Sequence, residues 1–372
     1  MQVFGPNELL ADVHQRNICI NCGACTELCP YFKSYKGSTG ILFSCDIEKG
    51  RCYAHCPKIE VDLEELSQAV FGKPYDTGPI GTYKTIRVAK AGPKMSDGNF
   101  QSGGTVSALI NYALQKGIID AAVLTNQEKL VAESQLVTQP EDVVRFASSK
   151  YIAAPAVGMI NKGQKEGLAK MGIVGTPCHM TAVAKMRANP MGADDFQDPI
   201  GMTIGLFCTW ALDSKSLVKY LSSKVDIDTI RKMDIPPPPA NIMVIETDDG
   251  QVVKLPLDEI RQCIPNSCSI CPDMTSEWAD ISVGVLEDQA TMNTLIVRTE
   301  RGEKLVSNAE KDGFIVTEEM PEESLNHLLE AAQNKKKKAY HLANEQGLLN
   351  SDSKDRRSVF RINNSILQKI LN

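Results

Sequence analysis

The sequence of 372 residues lacks the short motifs that mark several large enzyme classes. It contains no G-x-S-x-G segment of the α/β-hydrolases, no H-E-x-x-H segment of the zinc proteases and no Walker A phosphate loop. Its five histidines are dispersed, which argues against a di-iron or nickel centre in this chain. We therefore expect no hydrolase chemistry here.

Long apolar runs and an excess of basic charge are also missing. The longest apolar stretch, Met202 to Leu212, is far shorter than the ~20 residues that cross a bilayer. Met1 to Gln15 alternates polar and apolar residues, unlike a secretory leader. A net charge of −6 gives no basic surface for nucleic acid. These features predict a cytoplasmic protein with no nucleic-acid partner and no direct membrane insertion.

Cysteine, in contrast, is abundant, with twelve in the chain. The N-terminal group follows the spacing C-x2-C-x2-C-x3-C-P, and three more cysteines follow it before residue 57. In this iron–sulfur pattern the first three thiolates bind one cubane, while the fourth points to a different cluster. The ligands predicted for cluster I are Cys19, Cys22, Cys25 and Cys56, and those predicted for cluster II are Cys29, Cys45 and Cys52.

Cluster II is one ligand short of the usual four. Asp46 and Lys49 stand roughly where thiolates would be expected in a second run of the same pattern. The site could hold a [3Fe-4S] centre or a cubane with a ligand such as Asp46 or His55, or it could be absent. A zinc ribbon is the alternative for the whole region, although a zinc site does not require this spacing. A disulfide framework is disfavoured in a reducing compartment.

The remainder of the chain shows an α/β order behind a Gly- and Pro-rich linker at residues 72–81. Apolar periodicity predicts strands at 83–91, 121–124, 173–177 and 202–207, and helices at about 105–116 and 179–187. Residues 235–240 are expected to be extended, and 241–247 with 251–255 to form a hairpin. A charged helix begins near Glu322, with Lys335 to Lys338 interpreted as its solvated end and an anion or partner site as the alternative.

A second group of cysteines lies in this α/β region. Cys268 and Cys271 form a C-x2-C pair that needs two more ligands to hold a metal cluster. Cys178 and Cys208 each follow a predicted strand, so both would project from the same edge of a parallel sheet. Spacing alone also allows these cysteines to be small buried hydrophobic residues. Cys263 is interpreted as structural, with a small chance that it completes cluster II.

The α/β region resembles the beta-subunit family of coenzyme F420 hydrogenase and dehydrogenase, which includes formate dehydrogenase beta subunits. The resemblance covers roughly residues 80 to 320 in order. Its matching segments are Gly81-Thr-Tyr-Lys84, Ser102-Gly103-Gly104, Tyr112-Ala-Leu114, Gly117-Ile-Ile-Asp120, Ser149-Lys150-Tyr151 with Pro155, Gly175-Thr-Pro-Cys178, Gly205-Leu-Phe-Cys208, Lys232-Met-Asp-Ile235, Cys268-Ser-Ile-Cys271 and Ala279-Asp-Ile-Ser-Val-Gly284.

The resemblance implies an α/β flavin-binding domain fused to a small α+β ferredoxin-like two-cluster module. The module would be residues 1–75, and the two parts of the flavin-binding domain residues 76–165 and 166–325, with a helical extension at 326–372. FAD would join two to three [4Fe-4S] clusters, the third of them on Cys178, Cys208, Cys268 and Cys271. The residues expected to bind the cofactor are Ser102, Gly103, Gly104, Thr105 and Lys150. A Ser-Gly-Gly-Thr turn before a helix is otherwise an ordinary helix cap.

The implied function is an iron–sulfur flavoprotein subunit of a multi-subunit oxidoreductase. It would pass electrons between a soluble carrier, such as coenzyme F420 or NAD(P)H, and the clusters. Expected partners are hydrogenase, formate dehydrogenase or heterodisulfide-reductase-like subunits, which would carry the substrate chemistry. The alternatives are an electron-relay and docking subunit without a soluble substrate of its own, and a reductase of a small organic double bond.

Overall fold

The computed structural model describes residues 2–95, 100, 102–236, 240–287, 289, 291–350 and 357–371. The predicted extended segment at 235–240 falls largely on residues 237–239, which lie outside this described part. Among the described residues, no helix combines the length and apolar character needed to cross a bilayer.

The described residues form sixteen strands. They are β1 (Phe32–Tyr35), β2 (Ser38–Ile41), β3 (Val61–Asp62), β4 (Thr85–Ala91), β5 (Ala121–Glu128), β6 (Val131–Val137), β7 (Met171–Gly175), β8 (Ile200–Leu206), β9 (Ile230–Asp234), β10 (Ile242–Thr247), β11 (Val252–Pro256), β12 (Ile281–Val285), β13 (Asn293–Val297), β14 (Ile315–Glu319), β15 (Leu349–Asn350) and β16 (Phe360–Arg361).

The helices alternate with these strands. They are α1 (Pro6–Leu9), α2 (Arg51–Ala54), α3 (Leu63–Phe71), α4 (Thr105–Gln115), α5 (Ala156–Lys165), α6 (Pro177–Arg187), α7 (Ser214–Leu221), α8 (Leu257–Ile260), α9 (Asn266–Ser269), α10 (Glu300–Lys311), α11 (Glu322–Glu345) and α12 (Asn364–Leu371). A π-helical turn at Leu10–His14 and 3-10 turns at Pro93–Met95, Pro140–Phe146, Ile227–Thr229 and Arg261–Cys263 complete the helical segments.

An eight-stranded mixed sheet forms the centre of the molecule, in the order β14-β4-β13-β12-β8-β7-β5-β6. The four strands β12, β8, β7 and β5 are parallel, and antiparallel strands flank them on both sides. Side chains along a strand alternate between the two faces. Ala122 and Leu124 accordingly join one core with α4 and α10, while Val123 joins another core with α5 and α6. This layered arrangement confirms the α/β prediction, and the predicted strands and helices occur at the predicted places.

Local sequence explains where the helices begin. Thr176 caps α6 through a capping box with His179, and the Thr299 hydroxyl accepts a hydrogen bond from the Gly302 N–H at the start of α10. Each cap supplies an acceptor to an N–H group that has no partner within the helix. The start of α6 is therefore fixed directly after β7, which places Cys178 at the end of that strand.

The N-terminal region shares a hydrophobic core with the rest of the chain. Phe32 and Tyr53 pack in the same cluster as Val157 of α5 and Tyr340 of α11. The short strand β3 also pairs with β16, and the Glu60 carboxylate accepts a 2.8 Å hydrogen bond from Arg361. Residues on both sides of the predicted boundary at 75 thus pack as one unit, and the domain boundaries themselves remain predictions.

A smaller three-stranded antiparallel sheet, β11-β10-β9, stands apart from the central sheet. The predicted hairpin is present as β10 and β11, and it packs with α7 and α8 around a separate core. Cys263 is buried in this core. Its position agrees with the structural role that the sequence suggested.

Candidate functional site

Four cysteines meet where the parallel strands β7 and β8 end; we call Cys178, Cys208, Cys268 and Cys271 the inner set. The Cys208 N–H donates a 2.9 Å hydrogen bond to the Met274 carbonyl, which holds the segment after Cys271 against the end of β8. The pKa of the Cys178 thiol is raised to about 12, chiefly by burial, with smaller upward contributions from the neighbouring Cys271 and Cys268 thiols. The structure therefore brings the predicted third group of cysteines together.

A second group comes from the N-terminal region; we call Cys19, Cys22, Cys25 and Cys56 the middle set. Asn21 and Gly23 have left-handed backbone conformations, with φ of 55° and 85°, which curl the loop that carries three of these thiols. A Cβ at Gly23 would collide with the Pro155 carbonyl, so only glycine allows this close approach to α5. The Cys22 carbonyl accepts a 3.0 Å hydrogen bond from the Val157 N–H. The loop is thus pinned to the α/β domain.

The thiols of the middle set lie close enough to affect one another. Burial raises the pKa of Cys22 and of Cys25 well above the usual value, and the Cys56 thiol raises both further. Burial likewise raises the pKa of Cys19 to about 11, with a smaller upward contribution from Cys56. These four cysteines are the predicted ligands of cluster I.

The third group flanks the β1–β2 hairpin; we call Cys29, Cys45 and Cys52 the outer set. Burial raises the pKa of the Cys52 thiol to about 11, and Cys29 and Cys45 add to this rise. Asp46 is exposed. His55 is buried, and burial together with nearby Arg51 and Lys185 lowers its pKa to about 3. The fourth ligand of cluster II remains a prediction.

The middle set lies close to both of the other sets. Cys178 of the inner set is among the thiols that raise the pKa of Cys22, after burial and Cys56. Cys52 of the outer set is among those that raise the pKa of Cys25, after burial, Cys56 and Cys19. The middle set therefore has a thiol near each of its neighbours.

The donor sets fit iron–sulfur clusters better than single metal ions. All twelve cysteines are free thiols. Within the described residues, no three His, Cys, Asp or Glu side chains are arranged around a single-ion site. A multinuclear cluster instead distributes its thiolates over several irons. Buried thiols with raised pKa values would lose their protons on binding metal, so binding would be coupled to proton release.

Three lysines beside the thiol sets, of which Lys58 and Lys185 are buried and Lys335 is partly exposed, were not anticipated from the sequence. The Lys335 ammonium group donates hydrogen bonds to the carbonyls of Cys208 (2.6 Å) and Asp273 (2.8 Å). Lys185 donates to the Cys56 carbonyl at 2.8 Å, and Lys58 donates to the Ser267 carbonyl at 2.8 Å. No local motif identifies these residues, because their partners are distant in sequence.

The interpretation of Lys335 to Lys338 as a solvated helix end is wrong for its first two members. The run lies inside α11, which continues to Glu345. Lys335 reaches Cys208, and the fully buried Lys336 forms a 2.8 Å ion pair with Glu277. A charged helix face is buried when other elements supply its counter-charges and acceptors, and here the loop 273–277 does so. Lys338 is exposed, as expected.

The predicted flavin-binding turn lies at the start of α4 and is held by Asn293 of β13. The Asn293 side chain accepts a 3.3 Å hydrogen bond from the Thr105 N–H and donates a 3.1 Å bond to the Ser102 hydroxyl. A Cβ at Gly103 would lie 2.7 Å from the Asn293 Oδ1 atom. At Gly104, φ is +76°, and a Cβ would collide with the Phe100 ring. Both glycines thus have a packing role.

Thr105 and Lys150 complete the predicted cofactor residues. Thr105 is fully buried, and its hydroxyl has no hydrogen-bond partner among the described residues. The Lys150 ammonium group donates to the Ala147 carbonyl at 3.1 Å and to the Ser148 hydroxyl at 2.7 Å, and burial lowers its pKa to about 8. Lys150 therefore stabilises the loop at residues 147–150 through these hydrogen bonds. The flavin-binding role of all five residues remains a prediction.

His179, which adjoins Cys178, is a hydrogen-bonded core residue. Its Nδ1 atom accepts a 3.1 Å hydrogen bond from the Thr176 N–H, so the Nε2–H donates to the Ala154 carbonyl at 2.9 Å. Burial lowers its pKa to about 4. The ring is therefore neutral near pH 7, and it fixes the turn that carries Cys178.

Comparisons with known proteins identify relatives of the α/β region. Residues 88–161 match a family model described as coenzyme F420 hydrogenase/dehydrogenase, beta subunit N-term, and residues 168–323 match the corresponding C terminus. The coenzyme F420 hydrogenase subunit beta of Methanothermobacter thermautotrophicus is 30% identical over 70% of this chain and 94% of its own length. The coenzyme F420-dependent sulfite reductase of Methanocaldococcus jannaschii is 28% identical over 83% of this chain, which covers 49% of that protein.

A solved structure shows the same fold. A chain of the F420-reducing [NiFe] hydrogenase complex from Methanosarcina barkeri superposes with a TM-score of 0.65 and 26% sequence identity. The match covers 72% of this chain and 93% of the other. The mixed α/β architecture is therefore one that a subunit of an oxidoreductase complex also has.

Proposed function

Because the chain belongs to the coenzyme F420 hydrogenase/dehydrogenase beta subunit family, whose members are oxidoreductase subunits, we propose that it exchanges electrons between a soluble two-electron carrier and other redox subunits. Coenzyme F420 is the leading carrier, since the names of this chain's relatives specify that coenzyme. NAD(P)H is the alternative. The substrate reaction of the complex would take place on a partner subunit, of the hydrogenase, formate dehydrogenase or heterodisulfide-reductase type.

The series of three thiol sets is the observation that carries this proposal. The inner and middle sets each offer four thiols, and the outer set offers three. They are the residues that would hold iron–sulfur clusters, which supply one-electron steps. Because the middle set lies near both others, the chain offers a continuous path from the α/β domain to the hairpin β1–β2.

The residues around the inner set shield it and fix its geometry. Lys335 and the Cys208 N–H tie the end of β8 to the segment that follows Cys271. The neutral His179 and the α6 cap hold the turn at Cys178. FAD at the turn before α4, with Lys150 nearby, would supply the exchange between two-electron and one-electron chemistry. The family resemblance and the glycine turn support this placement.

The outer set lies beside the part of the surface that we propose for a redox partner. Tyr35, Leu42, Phe43 and Ile47 are large apolar side chains of the β1–β2 hairpin and the loop after it, and each is at least half exposed. Exposed apolar patches are typical of protein contact sites, and these four side chains come from one short segment of the chain, residues 35–47. Electrons would therefore leave or enter the chain at this end.

Anaerobic reconstitution followed by titration with reduced deazaflavin, NADH and NADPH tests the proposal. Bleaching of the flavin absorbance by one of these donors is the expected result. An unchanged flavin absorbance with all three donors, in a protein that holds flavin and iron, would contradict the use of a soluble carrier. It would favour the relay-and-docking alternative. Turnover of small unsaturated compounds would instead indicate a reductase.

A further inference from the structure

Lys58 connects the middle set to the inner set. It lies two residues after Cys56, and its backbone N–H donates a 3.4 Å hydrogen bond to the Cys56 sulfur. Its side chain is buried, with 4% exposed, and its ammonium group donates a 2.8 Å bond to the Ser267 carbonyl. Ser267 directly precedes Cys268. One side chain therefore spans from a ligand of one set to the neighbour of a ligand of the other.

The ammonium group of Lys58 is a buried charge that lies next to both sets. Its bond to the Ser267 carbonyl places it beside Cys268 of the inner set, and the Lys58 N–H bond holds the residue against Cys56 of the middle set. A buried positive charge beside thiolate ligands favours the more negative, reduced form of the cluster that they hold.

Two other lysines each contact one set. The Lys185 ammonium group donates hydrogen bonds to the carbonyls of Cys56 (2.8 Å) and Glu60 (3.3 Å), both in the N-terminal region. The Lys335 ammonium group donates a 2.6 Å hydrogen bond to the Cys208 carbonyl of the inner set. Each set thus has a lysine of its own, and Lys58 contacts both.

We propose that Lys58 is a shared positive charge that raises the reduction potentials of the clusters on the middle and inner sets together. The inference rests on the proposed function, since it requires both sets to hold clusters. Charges act strongly in the low-dielectric interior. Because one ammonium group acts on both sites, its loss should shift both potentials in the same direction.

The test is an EPR-monitored redox titration of the full chain, reconstituted anaerobically and reduced with dithionite. In Lys58→Met, both potentials should shift to more negative values in the same titration. In Lys335→Met only the inner potential should shift, and in Lys185→Met only the middle one. Lys58→Arg, which keeps the charge, should restore both potentials toward those of the wild type.

Iron content, measured on each variant, shows whether both clusters are present. Lys58→Gln keeps a hydrogen-bond donor for the Ser267 carbonyl and replaces Lys58→Met if that variant does not fold. A shift at one cluster only, or unchanged potentials with full iron, would overturn the shared role and leave the proposed function intact. A wild-type chain that assembles no clusters would overturn both proposals.

Discussion

The inner and outer thiol sets differ in their number of thiols, in their place in the fold and in the groups that surround them. The inner set has four thiols, lies at the end of the central sheet and is bordered by Lys335 and Lys58. The outer set has three thiols and lies beside a hairpin whose apolar side chains are exposed. The inner site is therefore built by the whole fold, while the outer site is built by a local loop.

In the proposed function, this difference would separate two tasks within one chain. A site with charged groups fixed around it would hold its potential steady. A site beside an exposed apolar hairpin would bring its centre within reach of another protein. The middle set joins them, because its loop is pinned to α5 while one of its thiols approaches Cys52.

Removal of an inner-set ligand should have the largest effect. We expect Cys268→Ala to lose about four irons per chain. It should also unfold at lower urea, because the cluster would link α6, the end of β8 and α9. Iron analysis and anaerobic urea unfolding measure these changes. Cys263→Ala is the control, since Cys263 is buried in the separate core of the small sheet. Iron loss in the control, with full iron in Cys268→Ala, would refute our ligand assignment.

Removal of an outer-set ligand should have a more local effect. Cys52→Ala should lose only the iron of the outer set, because its thiol lies near Cys29 and Cys45 and is not among the predicted ligands of the other two clusters. The EPR signals of the other two clusters should remain. A signal in the oxidised wild type that disappears in this variant would identify the outer centre as [3Fe-4S]. Simultaneous loss of the inner signal would contradict the separation of the two sites.

The buried ion pair between Lys336 of α11 and Glu277 allows the interior of the molecule to be compared with its surface. Lys336→Met leaves Glu277 buried without its 2.8 Å ion-pair partner, which should cost about 3–5 kcal/mol of unfolding free energy. Lys338→Met, on the exposed side, should change it by less than about 0.5 kcal/mol. Urea unfolding of both variants measures the difference, and equal stabilities would contradict the buried pair.

The same variant has a predicted pH dependence. Burial raises the pKa of Glu277, and Lys336 lowers it. Without Lys336, the folded-state pKa of Glu277 would rise further above its unfolded value. A group with a raised carboxyl pKa stabilises the fold below that pKa and loses this contribution as pH rises. The stability deficit of Lys336→Met should therefore shrink as the pH falls toward 5, and a deficit that grows would contradict this account.

The smallest predicted effect concerns Lys150 in the proposed flavin region. Its pKa of about 8 means that half of the amine is neutral near pH 8, so acetylation should reach half its maximal rate there. The acetylation rate of the exposed Lys165, measured in the same proteolytic digest, is the reference. Bound FAD should protect Lys150 and leave Lys165 unchanged. Equal acetylation of Lys150 with and without FAD would show that Lys150 does not belong to the cofactor site.

The grouping of the cysteines could be predicted because it follows short local rules, while their role as cluster ligands stays a prediction. The C-x2-C-x2-C-x3-C-P spacing assigned the middle and outer groups, and strand-end positions brought Cys178 and Cys208 to one edge. The α/β order followed from apolar periodicity, which reflects burial of the strand faces.

The charged surroundings could not be predicted, because they depend on contacts between distant segments. Lys58 and Ser267 are 209 residues apart, and Lys335 and Cys208 are 127 apart. A lysine run in an amphipathic helix usually lies in solvent, and only the packing of the loop 273–277 against α11 shows otherwise. The glycines before α4 were assigned to a cofactor, but Asn293 and Phe100 also require them.

Metal analysis combined with quantitative EPR of the anaerobically purified chain tests the central claim most directly. We expect about eight to twelve irons per chain, the number for two or three clusters. The reduced spectrum should show signals broadened by magnetic coupling, because the middle set lies near both of its neighbours. A chain that holds only zinc, or isolated signals without coupling, would contradict a series of adjacent clusters.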